Sequence, residues 1–185
     1  MENHQLILGK MKEHELKNGK NLILRKAEEK DAAALLKHMN QCGKETDFLG
    51  FGKEGIDMDE QKEQEYIKAF TPKNFMILAL IDNEIIGSCS ISCRESRIRF
   101  IHKGELGICV QEKAWGLGVG EKMMTYTLEL AKDAGLNKIG LDTRTDNEKA
   151  INLYKKLGFE IEGNVKNSTL IDGIYYNSYV MGKDL

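Results

Sequence analysis

Val110-Gln111-Glu112-Lys113-Ala114-Trp115-Gly116-Leu117-Gly118-Val119-Gly120-Glu121-Lys122 joins an apolar stretch to an amphipathic one. An extended segment ends there, and glycines follow at every second position. Met124, Leu128 and Ala131 then recur at helical spacing as far as a stop at Gly135. Glycines let the backbone turn tightly and meet a ligand with no Cβ in the way. The opening turn of a helix adds unpaired N–H groups and the positive end of its dipole. Strand, glycine turn and helix start together form an anion seat, most naturally for a phosphate or pyrophosphate. Two common nucleotide motifs do not fit. A Walker loop needs lysine where Glu121 stands, and the dinucleotide fingerprint needs glycine at that same position.

Working outward, 138–143 reads as a short strand. Thr145-Asp146-Asn147-Glu148 then has the spacing of a capping box. Ala150, Ile151, Tyr154 and Leu157 share one helical face before a stop at Gly158. Strands over 159–171 and 174–181 meet at the tight turn Asp172-Gly173. Upstream, Phe100 to Val110, Glu84 to Cys93 and Phe75 to Ile81 read as strands, the last two joined at Asp82-Asn83. A charged helix over Asp59 to Phe70 ends before Pro72. Thr46 to Asp57, with three glycines, is a loop. Ala27 to Cys42 is a helix that Gly43 is expected to stop. Leu16 to Arg25 reads as a hairpin whose Asn18-Gly19 suits a type I′ turn. Residues 1–13 carry no firm pattern, a short helix and a frayed arm being equally compatible. The order β-α-α-β-β-β-α-β-α-β-β fits an α+β fold, a mixed, largely antiparallel sheet with helices on both faces.

The 185 residues suit one domain. A formal net charge of −2 argues against a chain that grips nucleic acid through its overall field. The longest apolar run, Phe75 to Ile81, is too short to cross a bilayer, and the first residues offer no basic segment ahead of a long apolar one. The expected compartment is the cytoplasm. Cys42, Cys89, Cys93 and Cys109 show no zinc-ligand spacing and read as free, buried small hydrophobes, so no metal is expected.

A second segment turns the glycine turn into a pattern. Downstream of it, Asn147, Ala150, Tyr154, Gly158 and Phe159 match the Asn-x-x-Ala-x-x-x-Tyr-x-x-x-Gly-Phe motif of the GNAT superfamily of acyl-CoA-dependent N-acyltransferases. The acyl-CoA motif of that superfamily, Gln/Arg-x-x-Gly-x-Gly/Ala, maps onto Trp115-Gly116-Leu117-Gly118-Val119-Gly120, with Trp115 where Gln or Arg is usual. The chain therefore resembles a GNAT N-acetyltransferase over roughly residues 20–183. On that resemblance, 1–19 is an arm plus the first hairpin strand, and 20–185 is a single GNAT-like domain.

The resemblance implies transfer of an acetyl group from acetyl-CoA, a cosubstrate, to a primary amine by direct attack. Backbone amides of Leu117, Gly118, Val119, Gly120 and Glu121, with Trp115 and Gly116 in the turn, would hold the pyrophosphate. Ile108, Cys109 and Val110 would pair with the pantetheine arm where their strand splays from the next, an N–H near Val110 serving as oxyanion donor. Tyr154 matches the general acid for the leaving thiolate, and Glu105 a general base used by some members, with His102 a weaker candidate. Asn147 is a helix cap that can also hold the CoA arm. Nothing beside Cys109 in the sequence marks it as an activated nucleophile, so direct transfer is preferred to a covalent relay. Glu45, Asp47, Glu54, Asp57, Asp59 and Glu60, with Tyr175, Tyr176 and Tyr179, are candidates for the acceptor side. The expected partner is a small-molecule amine or a peptide amino terminus. The alternatives are a protein N-terminal (ribosomal-protein-type) acetyltransferase and a non-catalytic acyl-CoA-binding regulatory module. Homodimerisation stays open.

Overall fold

A computed structural model describes residues 11–185, so residues 1–10 of the expected arm lie outside the described residues. The chain runs β1 (Lys12–Glu15), β2 (Asn21–Lys26), α1 (Ala32–Glu45), α2 (Glu60–Lys68), β3 (Phe75–Ile81), β4 (Glu84–Cys93) and β5 (Lys103–Val110). It continues through α3 (Val119–Asp133), β6 (Lys138–Arg144), α4 (Glu148–Lys156), β7 (Glu160–Ile171) and β8 (Ile174–Asp184). The strands form one sheet ordered β1-β2-β3-β4-β5-β6-β8-β7. Every neighbouring pair is antiparallel except β5 and β6.

β3 lies near the middle of the sheet and is buried at all seven positions. Strand alternation sends Phe75, Ile77, Ala79 and Ile81 into a core with Met123, Met124 and Leu128 of α3. It sends Met76, Leu78 and Leu80 to the opposite face against Leu35 of α1 and Ile67 of α2. The helices thus cover both faces, as the apolar run of β3 requires. Arg25 pins the start of α1 by a two-pronged pair with Asp31, at 2.6 and 2.7 Å, and Asp31 also accepts from the Glu28 N–H at 2.8 Å. Among the described residues no helix is long and apolar enough to cross a membrane.

Three local readings are corrected. Gly43 does not stop α1, which begins at Ala32 after a 3₁₀ turn and continues to Glu45. The glycine serves close approach instead: a Cβ there would collide with the Gly52 carbonyl oxygen of the loop folded over the helix. The first hairpin is not type I′, because Gly19 has φ +78° while Asn18 is not at positive φ. Its turn closes through Gly19 N–H to the Leu16 carbonyl at 2.9 Å, with Leu16 N–H bonded to the Lys20 carbonyl at 2.8 Å. That is the three-residue loop ending in a left-handed glycine. Thr145 does not cap α4. The cap position is Asn147, and its side chain makes no cap hydrogen bond.

Candidate active site

The parallel contact of β5 with β6 is short. It pairs Lys103 with Lys138, Gly104 with Ile139 and Glu105 with Gly140, and there it ends. Beyond that point β6 stays paired to β8 as far as Arg144, while β5 stays paired to β4 as far as Val110. The two strands therefore diverge. Gln111 N–H donates to the Ile86 carbonyl at 2.9 Å, so antiparallel alternation aims the odd residues of β5 at β4. Ile108 and Val110 turn their N–H and C=O groups the other way, into the gap, as Leu106 does with its C=O once its N–H has closed the last pairing to Gly140. The Val110 carbonyl is taken by the Trp115 indole N–H at 2.7 Å. The remaining groups face a cleft of about 1150 Å³ walled by both splayed strands.

The same cleft ends on the glycine turn. Gly116 and Gly118 have φ of +76° and +82°, and Gly118 is the cap of α3. A left-handed cap directly before a helix turns the chain so that its first N–H groups face outward. The first intrahelical bond is Lys122 N–H to the Gly118 carbonyl at 3.2 Å, which leaves Val119, Gly120 and Glu121 with no helical acceptor. Lys17, Lys122 and Lys149 stand on the wall nearby, the last with its ammonium 4.8 Å from the Trp115 ring centre. Backbone donors plus surrounding ammonium groups suit a polyanion.

Tyr154, on α4, is 8% exposed and lies on the cleft wall. Its hydroxyl makes no hydrogen bond among the described residues. No fully buried polar side-chain atom there lacks a partner, so the hydroxyl reaches the cleft surface. Burial pushes its pKa up to about 12, and it is therefore a protonated donor at neutral pH. Asn147 is also on the wall, its amide 3.5 Å from the Thr143 hydroxyl.

Glu105 is exposed and stands on β5 outside the cleft wall, its carboxylate lying against Gly140. That local desolvation, and then the nearby Asp142 charge, push its pKa above the usual carboxylate range. Asp142, on β6, does line the cleft and was not singled out from sequence. His102 is exposed, and its carbonyl accepts the N–H groups of Asn137 and Lys138.

On the α1 face, side chains distant in sequence converge. Cys109 Sγ lies 3.4 Å from His38 Nε2 and 3.2 Å from Ser88 Oγ. Cys42 Sγ is 3.8 Å from His38 Nδ1. Gln111 Nε2 donates to the Ile85 carbonyl at 3.2 Å and faces His38 Nδ1 at 3.1 Å. This makes Nδ1 the acceptor and puts the His38 proton on Nε2, toward Cys109. The Cys42 thiol beside it holds Cys109 well below the usual thiol range, His38 and Ser88 add to this, and burial opposes it. Cys42 is pushed up in return. His38, Cys42 and Cys109 bring one nitrogen and two sulfurs within 4.8 Å of one another. The amide of Gln111 disfavours a cation there, because it keeps a proton on the nitrogen that would bind it. All four cysteines are free and buried, as expected. The local environment of Cys109 is the correction: the fold supplies the activating neighbours that the sequence around it lacks.

Most of the acidic candidates are spent on structure. Glu45 accepts from Glu112 N–H at 2.7 Å, Glu54 from Gly52 N–H at 2.8 Å, and Asp59 caps α2. Asp47 pairs with Arg144, as does Asp146, and the guanidinium lies 4.7 Å from the Phe48 ring centre and 3.7 Å from that of Tyr176. Arg144 thereby ties the loop 46–51, whose Phe48, Leu49 and Phe51 line the cleft, to β6 and β8. None of Tyr175, Tyr176 and Tyr179 forms the wall itself.

A family model described as acetyltransferase (GNAT) family matches residues 36–159. The L-amino acid N-acetyltransferase AaaT of Escherichia coli (strain K12) is 34% identical over 108 residues, covering 58% of this chain and 66% of that protein. The chain thus spans just under two thirds of that relative. The crystal structure of the acetyltransferase of GNAT family from Streptococcus pneumoniae superimposes with a TM-score of 0.85 at 30% identity, over 89% of this chain and 99% of that one. The yncA structure from Salmonella typhimurium, solved with its cofactor acetyl-CoA, shares the fold with a TM-score of 0.78 at 18% identity, over 89% and 94%.

Proposed function

The chain belongs to the acetyltransferase (GNAT) family, and from that premise we propose that it moves an acetyl group from acetyl-CoA to the nitrogen of a small primary amine. The reading rests chiefly on one observation. The unpaired edge of β5 at Ile108 and Val110 runs into the helix seat at 117–121 within a single cleft. An extended, amide-bearing arm ending in a pyrophosphate fits that pairing of backbone edge and anion seat. The similarity to AaaT supports a small amino acceptor.

Acetyl-CoA supplies an activated acyl carbon; the remaining steps fall to the chain. The N–H of Val110 faces the gap and can donate to a developing oxyanion, the kind of contact worth roughly 10²–10³ in rate. The hydroxyl of Tyr154 protonates the departing sulfur. An amine with a pKa of about 10 is neutral in only about one molecule per thousand at pH 7, so a base is useful. Glu105, with its raised pKa, takes the proton through water, since its carboxylate is off the cleft wall. The amine then attacks directly while both substrates are bound.

The test is release of free CoA thiol from acetyl-CoA on addition of amino acids, polyamines, aminoglycosides and short peptides. Turnover with a small amine is the expected result. Turnover with peptide amino termini alone would move the acceptor to proteins. Tight acetyl-CoA binding with no turnover on any amine would make the chain a binding module.

A further inference from the structure

The cluster around Cys109 takes no part in the transfer just described. Two groups on different elements lie within hydrogen-bond distance of one sulfur, and a second thiol lies beside them. Cys42 and His38 come from successive turns of α1, and Ser88 from β4. His38 is 1% exposed and Ser88 4%, so neither spends its proton on water. Gln111 fixes the ring from behind, so that Nε2–H points at Cys109 rather than away from it. His38 Nε2–H and Ser88 O–H can both donate to the same sulfur, and a thiolate is the species that accepts several donors at once. His38 already carries its proton on that nitrogen. It is therefore a donor to the sulfur and not its base, and the Cys109 proton leaves to solvent through the cleft.

That sulfur is on the cleft wall. Cys109, Cys42 and Ser88 all line it, Cys109 lying between Ile108 and Val110, whose backbone edges face the gap. Cys109 projects to the α1 face, where it meets His38 and Met39. On the reading that acetyl-CoA lies in the gap, a thioester carbon comes within the reach of one strand residue from Cys109.

We propose that Cys109 is a nucleophile that takes the acetyl group from acetyl-CoA by thioester exchange when no amine occupies the acceptor end. The Cys109 Sγ lone pair forms the new S–C bond to the acetyl carbon, and the bond from that carbon to the CoA sulfur breaks. The electron pair leaves on the CoA sulfur, which takes a proton from the Tyr154 hydroxyl, and solvent restores that proton. One thioester is consumed and one is formed, so no oxidant or further reactant is needed. With an amine bound, direct attack proceeds as above.

The test uses the full chain and acetyl-CoA with no acceptor, read by intact mass and peptide mapping, with acetyl-CoA affinity measured separately by calorimetry. One acetyl group per chain on the Cys109 peptide, removed by neutral hydroxylamine as a thioester is and an amide is not, is the expected result. It should be absent from Cys109→Ser and roughly tenfold slower to form in His38→Gln, which removes a hydrogen bond to a charged group. Mapping the wild-type adduct needs no variant, so a variant that misfolds does not block the result. A chain that binds acetyl-CoA yet stays unmodified, or carries the acetyl on Cys42 or a lysine, overturns the proposal while the acetyltransferase reading stands. A chain that does not bind acetyl-CoA overturns that reading and this step with it.

Discussion

The two sides of the cleft are made of different material. Along β5 and the turn into α3, the wall is main chain: the N–H groups of Ile108 and Val110, then those of Val119, Gly120 and Glu121. The rest of the wall is side chain: Cys42, Phe48, Leu49, Ser88, Cys109 and Asp142, drawn from α1, a loop and three strands. Backbone recognition needs glycines and a helix start at fixed spacing, and so it leaves a contiguous mark in the sequence. Side-chain recognition needs only that distant residues meet in space. On the proposed reading, the first side would hold acetyl-CoA and the second would select the acceptor.

The largest effect is expected on the main-chain side. In Gly118→Val, a β-branched residue is forced to φ +82°, a conformation that costs an L-residue about 1–2 kcal/mol, and its side chain enters the phosphate seat. Acetyl-CoA affinity should fall by roughly 100-fold, measured by calorimetry on protein whose circular dichroism is native. Gly120→Val should lose less, since Gly120 is not at positive φ and a Cβ there meets only Leu153 at 3.4 Å. Equal, undiminished affinity in both would break the division between the two sides.

Tyr154→Phe keeps the ring and removes the hydroxyl. kcat should drop by roughly 10²-fold with acetyl-CoA affinity unchanged. An acid must be protonated to act, so Tyr154 should impose no loss of rate until the pH approaches about 12. On the side-chain wall, Arg144→Met frees the loop 46–51 and should raise KM for the acceptor by roughly tenfold, leaving acetyl-CoA affinity alone. If both affinities move together, the two sides are not separable.

The smallest effect concerns the base. A base works deprotonated, so kcat/KM should rise with pH through the raised pKa of Glu105. Glu105→Gln should flatten that limb and lower activity at neutral pH by roughly tenfold or less. Asp142→Asn removes a negative neighbour that raises Glu105, so the limb should move to lower pH. A profile untouched by either variant would make Glu105 a strand-end glutamate.

The sequence made the main-chain side legible and left the other dark, for physical reasons. β3, β4, the turn at Asp82-Asn83 and the Asp172-Gly173 hairpin were readable because alternation and turn chemistry are local. Gly43 misled because its reason is the backbone of Gly52, brought onto α1 by the tertiary fold. Thr145 fits a capping pattern, but β6 continues to Arg144 and the helix starts only after Asn147. His38 sits 71 residues from Cys109 and Ser88 another 21 away from it, so no spacing rule joins them. Arg144 reads as one more surface charge until Phe48 and Tyr176 close on it.

Amide hydrogen exchange with and without acetyl-CoA probes the division directly, because it reports on the main-chain groups themselves. Slowed exchange at Ile108 and Val110 and across 117–121, with the loop 46–51 little changed, is the expected result. Protection confined to α1 and that loop, with the edge of β5 and the glycine turn exchanging as before, would contradict a backbone-built seat for acetyl-CoA.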